Sequence, residues 1–327
     1  MKSSVTVIFL LLFVVVAGFY VYLMPSENAP PPPEVVRALR LLPLEAGDEI
    51  VLIEIIDAEE GKSIMLENNE GTWELTKPVR DTADILMAEG LEKVLALSSK
   101  ARRLVPDKEW SEYGLLNPKV KIGIETRKKR ERRFLYFGDA APIGDFVFAR
   151  WEGEKEYFLL NADLMRAFDR SVYSLREKRI FRTLRKDIEK IRIQGLDVDY
   201  EFVNNEQGWV WSEPIDLLGE ELTKRQVDEL LSQIRELYVK DFLDGESRAK
   251  EELGFKLGSS AVRIWGHPET GSEILYLGDE VPEKDAYYGL RSGESRYFVV
   301  ARGNIRSLLE IIETFVIRTR EGSGVVL

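Results

Sequence analysis

The sequence contains no cysteine and only one histidine among its 327 residues. Without cysteine the chain has no disulfide, no thiolate nucleophile, no Cys-ligated zinc and no lipidated cysteine anchor. A single histidine excludes a metal site with two histidine ligands and weakens any catalytic scheme that needs a histidine base. His267 lies in a turn beside Pro268, where we expect an ordinary surface residue rather than a functional one.

The chain also lacks the motifs of common enzyme classes and a positive overall charge. No GxSxG, HExxH or P-loop pattern occurs. The net charge is −11, whereas nucleic-acid binders need basic surfaces that displace counterions. The sequence therefore predicts no catalytic residue, no metal ligand, no cofactor and no nucleic-acid partner, and we interpret the protein as a non-enzyme.

A long uncharged run, VTVIFLLLFVVVAGFYVYLM, occupies residues 5–24. As a helix it would be about 30 Å long, which is the thickness of a bilayer core. A cleaved signal peptide has a shorter apolar region that ends in small residues, so we interpret residues 1–24 as an uncleaved transmembrane signal anchor. The single apolar run predicts a single-pass membrane protein. A weak charge bias, which rests on Lys2 and the terminal amine, predicts that its N-terminus is cytoplasmic and that the bulk of the chain is periplasmic or extracellular.

Residues 25–45 are predicted to be a proline-rich linker. Four consecutive prolines at positions 30–33 favour an extended polyproline spacer. Such a spacer would hold the folded part of the chain away from the membrane.

The rest of the chain contains two copies of one unit. The motif ending at Trp73 recurs at Trp209, an offset of 136 residues (209 − 73), and Gly138 recurs at Gly278, an offset of 140 residues (278 − 138). Constant offsets over many positions indicate an internal repeat. We predict a first repeat at residues 46–182, a second at 183–320 and a tail at 321–327.

Each copy combines short strands with helices. Thr223 and Gln226 form a capping box, and the apolar residues that follow recur at helical spacing. These residues are Val227, Leu230, Leu231, Ile234, Leu237 and Tyr238. Short connections favour antiparallel strand pairs. The predicted fold class is α+β: an N-terminal transmembrane helix followed by two tandem homologous α+β units with mostly antiparallel sheets.

The stretch LYFGDAAPIGD in the first copy recurs as LYLGDEVPEKD in the second. We interpret it as a duplicated turn in which each glycine ends a strand and adopts a positive φ, with cation binding and catalysis by the aspartates as alternatives. Two carboxylates fall short of the six to eight oxygens that calcium prefers. The residues of this repeated turn motif are Gly138, Asp139, Pro142, Asp145, Gly278, Asp279, Pro282 and Asp285.

A basic segment, KVKIGIETRKKRERR at residues 119–133, is predicted to be a hairpin with a charged tip. The tip is either simply solvated or a contact surface for anionic lipid or an acidic partner. The matching tip of the second copy, residues 266–271, is not basic, so the fold does not require the charge. The candidate contact residues are Arg127, Lys128, Lys129, Arg130, Arg132 and Arg133.

Four motifs of the first copy occur in order: GTWELTKP (71–78), EYGLLNP (112–118), LYFGD (135–139) and EYFLL (156–160). In this pattern the chain resembles the domain-of-unknown-function family numbered 4340, over roughly residues 48–320. The resemblance implies a membrane helix followed by an extracytoplasmic region, and an association with auxiliary components of ABC transport systems. It supplies no catalytic residue.

Three functions follow as hypotheses. The first is a non-enzymatic binding or scaffold module of a cell-envelope or ABC-transport-associated complex. The second is a ligand- or polysaccharide-binding module with a cleft between the repeats, in which Trp73, Trp209 or Trp211 would stack on sugars unless they belong to the core. The third is a hydrolase that uses Asp139 with Asp279. The identity of the partner or ligand and the oligomeric state stay open.

Overall fold

The computed structural model describes residues 39–104, 109–256, 258–266 and 271–323. The predicted anchor, most of the predicted linker and His267 lie outside these ranges. Contacts divide the chain into two compact units. The first comprises the described residues up to Lys62 with Gly90–Asp169, and the second comprises Ser63–Glu89 with the described residues from Arg170 onward. In the part of the chain that is described, no helix has the length and apolarity needed to cross a bilayer.

The described residues alternate between strands and a few helices. The strands are β1 (Ile50–Asp57), β2 (Lys62–Asn69), β3 (Thr72–Lys77), β4 (Asp81–Thr82), β5 (Arg102–Leu104), β6 (Val120–Thr126), β7 (Arg133–Ala140), β8 (Phe146–Trp151), β9 (Tyr157–Asn161), β10 (Lys190–Gly195), β11 (Val198–Asn205), β12 (Gly208–Glu213), β13 (Val239–Phe242), β14 (Ala261–Trp265), β15 (Ser272–Glu280), β16 (Ala286–Arg291) and β17 (Tyr297–Ala301). The helices are α1 (Ile85–Leu97), α2 (Ala162–Ala167), α3 (Val172–Leu175), α4 (Lys224–Arg235) and α5 (Arg302–Ser323).

The pairing of the strands repeats from one unit to the other. In the first unit the strands pair in the order β1, β6, β7, β8, β9, β5. In the second unit the corresponding order is β10, β14, β15, β16, β17, β13. The hairpin β2–β3 of the first sequence copy also corresponds to β11–β12 of the second copy, although residues 63–89 belong to the second compact unit by their contacts. All of these pairs are antiparallel, which confirms the prediction of two similar α+β units with antiparallel sheets.

The core of each unit comes from the alternation of apolar residues along its strands. In the second unit Ile191, Ile193 and Phe202 are buried on one face of the sheet. Helix α4 packs Leu230, Leu231 and Ile234 against the same cluster, and its predicted capping box is present. The helix ends at Arg235, however, so the prediction that Tyr238 continues its apolar stripe was wrong, and the Tyr238 side chain is exposed.

Two further boundaries differ from the sequence-based expectation. The sequence predicts a helix near residues 162–171, but α2 ends at Ala167, and a separate short helix, α3, begins after Ser171, whose side chain caps its N-terminus. In the segment predicted as linker, Leu41 and Leu42 are buried, and the Leu41 amide donates to the Ser98 carbonyl. This end of the predicted linker is therefore packed in the first unit.

Candidate functional site

The repeated Gly-Asp motif lies inside strands β7 and β15 rather than after their ends. Both strands continue for two residues beyond the glycine, and the glycines do not have a positive φ. The expectation that each glycine ends a strand was therefore wrong. A β-bulge occurs at the motif in both copies, since the register shifts between Phe137 and Ala140 and again between Leu277 and Glu280.

Glycine is needed in the motif because a neighbouring turn leaves no room for a side chain. A Cβ added to Gly138 would lie less than 3.0 Å from the carbonyl oxygen of Tyr113, which ends a short 3-10 turn. In the second copy, a Cβ on Gly278 would clash in the same way with the carbonyl oxygen of Leu253. The strand and the turn therefore touch through their backbones.

The turn contributes its own glycine to this contact. Gly114 and Gly254 end the two 3-10 turns in the left-handed conformation, at φ 67° and 86°. A Cβ on Gly114 would lie less than 3.0 Å from the carboxylate of Asp139, and one on Gly254 would clash with Asp279. We call this paired contact the glycine interlock. It joins two sequence motifs into one element in each copy and supports the interpretation of the motif as structural.

The second aspartate of the motif is neutralised by an arginine in the first copy. Asp145 accepts from both terminal nitrogens of Arg166, at 3.1 and 2.5 Å, and Arg166 also contacts Asp163 at 2.6 Å. The hydrogen bonds from Arg166 hold the pKa of Asp145 below its usual value. The backbone carbonyls of Asp145 and of its counterpart Asp285 each accept from the first residue of the following helix. Both the side chain and the backbone carbonyl of Asp145 therefore form hydrogen bonds within the first unit, which supports a structural role for this residue.

The loops around the prolines differ between the two copies. The loop of Pro142 is closed by a hydrogen bond from the Ala141 amide to the Phe146 carbonyl, and the loop of Pro282 is closed in the same way. Ile143, next to Pro142, is 86% exposed. The second copy has Glu283 at that position. The framework of the loop is repeated, but its surface is not.

An open depression of about 830 Å³ lies beside the motif of the second unit. Asp199 and Glu280 line it, and both are paired, with Arg192 and Arg302 respectively, at 2.8 Å. Asp197 and Asp279 also line it. Across the described ranges, no group of three or more Asp, Glu, His or Cys side chains is arranged to hold a metal ion. The depression therefore exposes carboxylates and backbone groups to solvent, but these groups are not arranged as the ligands of a metal ion.

Most of the predicted basic contact surface is engaged in ion pairs within the first unit. Arg127 pairs with Glu49, and Lys128 lies 3.9 Å from Glu45. Two further arginines are held at 2.7 Å: Arg132 by the buried Glu54, and Arg133 by Glu154. Because their charges are compensated, these four residues contribute less to a long-range field than the sequence suggested.

Lys129 and Arg130 form the remaining exposed end of the β6–β7 hairpin. Neither makes an ion pair within the described part of the chain, and both side chains are exposed. Arg130 adopts a positive φ of 38°, as expected at a tight hairpin end. Of the six predicted contact residues, these two are therefore the ones best placed to reach an external anion.

The three tryptophans considered for sugar stacking belong to the core. Trp73, Trp209 and Trp211 are all buried, and the latter two lie in the main cluster of the second unit. Trp211 packs against the ring of Phe202 with 4.5 Å between centroids. A buried indole offers no face to a sugar, so the interpretation as core residues is confirmed.

A partly buried cluster of charges in the second unit has no local signal in the sequence. The Arg176 side chain is only 2% exposed and donates to Asp81 and Asp244, each at 2.6 Å. Its guanidinium also stacks 3.4 Å from the centroid of the Phe242 ring. Asp81 accepts a further hydrogen bond from Arg296, at 2.6 Å. Two arginines and two aspartates thus form a neutral network, which we call the Arg176 cluster.

The fold and these sites define a class: a protein of two similar antiparallel α+β units, each with a glycine interlock. The chain belongs to the family described as domain of unknown function (DUF4340), whose model matches residues 73–256. This confirms the resemblance drawn from the four motifs. No curated protein and no solved structure matches the chain.

Proposed function

We propose that the protein is a membrane-anchored, extracytoplasmic and non-enzymatic scaffold or binding module of a cell-envelope complex, associated with an ABC-type transporter. One observation carries the proposal: the two copies share a framework but differ on their surfaces. The glycine interlock occurs in both. The basic hairpin end and the exposed Ile143 occur only in the first. Surfaces that the fold does not require are the expected places for partners.

The anchor and its orientation are part of this proposal. They rest on the uncharged run at residues 5–24, on the proline-rich spacer and on the charge bias at Lys2. The spacer would give the folded units the reach to contact partners at the membrane surface. The alternative, a polysaccharide-binding module, has less support because the tryptophans that would stack on sugars are buried.

Removal of residues 1–33 tests the scaffold function. We expect the tagged full-length protein, extracted in mild detergent, to co-purify with transporter or envelope subunits identified by mass spectrometry. The chain from Glu34 onward should keep its circular dichroism spectrum but lose these partners. A control with an unrelated transmembrane helix and spacer should recover them. A soluble chain that retains the same partners, or restores function in cells, would contradict the proposal.

The exposed end of the basic hairpin is expected to contact anionic lipid head groups. Replacing Lys129 and Arg130 by glutamate should weaken binding of the chain from Glu34 onward to phosphatidylserine vesicles by at least about tenfold at low salt. The control Lys240→Glu/Lys250→Glu makes the same change in net charge at exposed positions of the second unit. Equal loss in both variants would show a general charge effect and no role for the hairpin.

A further inference from the structure

A row of three side chains crosses neighbouring strands of the first unit. Lys121 on β6 pairs directly with Tyr136 on β7, and Tyr136 pairs directly with Arg150 on β8. Directly paired residues point to the same face of a sheet. The Lys121 amino group lies 5.1 Å from the centroid of the Tyr136 ring, and the Arg150 guanidinium carbon lies 4.7 Å from it. The row therefore places two cations beside one aromatic ring.

Arg150 is buried without an acidic partner. It is only 7% exposed, and its guanidinium also contacts Trp110, with 4.2 Å to the ring centroid. It forms no ion pair with any residue that the structure describes, and Glu152, two residues further on, accepts from the Tyr136 hydroxyl instead. A buried charge is unfavourable unless it is paired and hydrogen-bonded, so this arginine needs an explanation.

The hydrogen bonds of the Arg150 guanidinium are few and long. Nε donates to the Leu115 carbonyl at 3.3 Å, and Nη1 donates to the Trp151 carbonyl at 3.4 Å. Both distances exceed the roughly 2.7–3.2 Å of a normal N–H···O bond. Nη2 has no partner within the described ranges and is not shut off from solvent. A guanidinium has five N–H donors, so most of them stay available to a ligand.

The second copy shows that the fold does not need these two cations. Its matching row consists of Ala261, Tyr276 and Leu290, which are joined by the same direct strand pairs. The tyrosine is kept, but the lysine is replaced by alanine and the arginine by leucine. Leu290 and Tyr276 pack against an apolar cluster that contains Phe255. An apolar residue therefore satisfies the fold at the position of Arg150.

An arginine of the second unit shows what full structural satisfaction looks like. Arg291 is also 7% exposed. It donates to Glu294 at 2.6 Å and to the carbonyls of Ile180 and Arg179 at 3.0 and 2.6 Å. Its charge is paired and its hydrogen bonds are of normal length. Arg150 has neither property, although it is equally buried.

We propose that Arg150 and Lys121 form a binding site in the first unit for an oxyanion group, either a carboxylate or a phosphate. The guanidinium fork matches both groups through paired N–H donors. The rings of Trp110 and Tyr136 fix the plane of the guanidinium. Lys121, which has no ion pair among the described residues, adds a second positive charge. Because Arg150 has little exposure, the ligand reaches it with a small group and not with a broad surface. The site does not depend on the anchor or on the transporter partners proposed above.

Intrinsic tryptophan fluorescence tests this site, because Trp110 covers the Arg150 guanidinium. The purified full-length protein in mild detergent is titrated with inorganic phosphate and with acetate, against chloride at equal ionic strength. At least one of the two anions should give a saturable change, which Trp110→Phe should remove. A response to phosphate alone supports a phosphate ligand, and a response to acetate alone supports a carboxylate. Arg150→Leu should weaken binding at least about tenfold, and Lys121→Ala should weaken it severalfold.

Stability distinguishes a ligand site from a structural arginine. Replacement of a buried charge by an apolar residue is often neutral or stabilising, so Arg150→Leu should leave the midpoint of urea unfolding unchanged or raise it. The control Arg291→Leu breaks a satisfied network and should lower the midpoint. The proposal is overturned if neither anion acts beyond chloride, or if either of the variants Arg150→Leu and Lys121→Ala binds as tightly as the parent chain. It is also overturned if Arg150→Leu lowers the midpoint as much as Arg291→Leu or fails to fold.

Discussion

Gly138→Ala is expected to destabilise the first unit by about 3 kcal/mol, the upper end of the usual cost of an overpacked site. The added methyl group would lie less than 3.0 Å from the carbonyl oxygen of Tyr113, a backbone atom that no rotamer change can move. Either the strand or the turn must shift, and the bulge at Gly138 would be lost with it. Urea unfolding monitored by circular dichroism measures the free energy of unfolding directly. Gly278→Ala should have a similar effect on the second unit.

The matched controls for this prediction are glycines with open space. A Cβ at Gly245 or Gly303 would meet no atom within 4 Å, and neither residue has a positive φ. Alanine at these positions should change the free energy of unfolding by less than about 1 kcal/mol. If Gly138→Ala and Gly245→Ala prove equally mild, the glycine interlock does not constrain the fold as described.

The positions of the two interlock aspartates favour a structural role of the motif over cation binding or catalysis. Asp139 and Asp279 lie against Gly114 and Gly254 in the same way in both copies. Because the same contact is needed in both copies, it explains why the Gly-Asp motif is repeated, and no bound ligand is required for that explanation. It also explains why Tyr113–Gly114 and Gly138–Asp139, which are separate motifs in the sequence, occur together in both halves of the chain.

Patterns with a short range in sequence predicted most of the fold. The short connections predicted antiparallel strand pairs in each copy, and Thr223 with Gln226 marked the start of α4 correctly. The constant offsets predicted that the strand order would repeat. These features depend on residues that are close together along the chain, so they can be predicted from a single sequence.

The features that the sequence did not reveal depend on contacts between distant residues. Gly138 looked like the end of a strand because the clash that requires glycine involves Tyr113, which lies in another motif. The hairpin end looked like six free charges because Glu49, Glu54 and Glu154, which neutralise three of them, lie on other elements.

The Arg176 cluster is the clearest example of such a long-range feature. Arg176 binds Asp81, 95 residues before it, and Asp244, 68 residues after it. In the local sequence, the segment around Arg176 resembles an ordinary charged loop that connects the two repeats. In the structure its backbone pairs with Ala83, and the Glu177 amide donates to the carbonyl of Thr82. The cluster therefore fixes the position of residues 81–84 within the second unit.

Arg176→Met is expected to cost about 3–5 kcal/mol of unfolding free energy, because it leaves the buried carboxylate of Asp81 without its main partner. Asp81 is only 8% exposed at its side chain and would retain only Arg296 and the backbone amide of Thr82 as partners of its carboxylate. Methionine keeps the packing on Phe242, so the loss reports on charge rather than on a cavity. Hydrogen exchange at residues 81–84 should rise together with the loss of stability.

The matched control is an arginine whose ion pair is exposed. Arg225→Met removes the pair with Glu229 at the surface of α4 and should change the unfolding transition little. A double-mutant cycle of Arg176→Met with Asp244→Asn should show a coupling energy, because both side chains belong to one network. If Arg176→Met is no more destabilising than Arg225→Met, Asp81 and Asp244 find other partners when Arg176 is absent. In that case the contact between residues 81–84 and the second unit depends on its backbone hydrogen bonds and apolar packing alone.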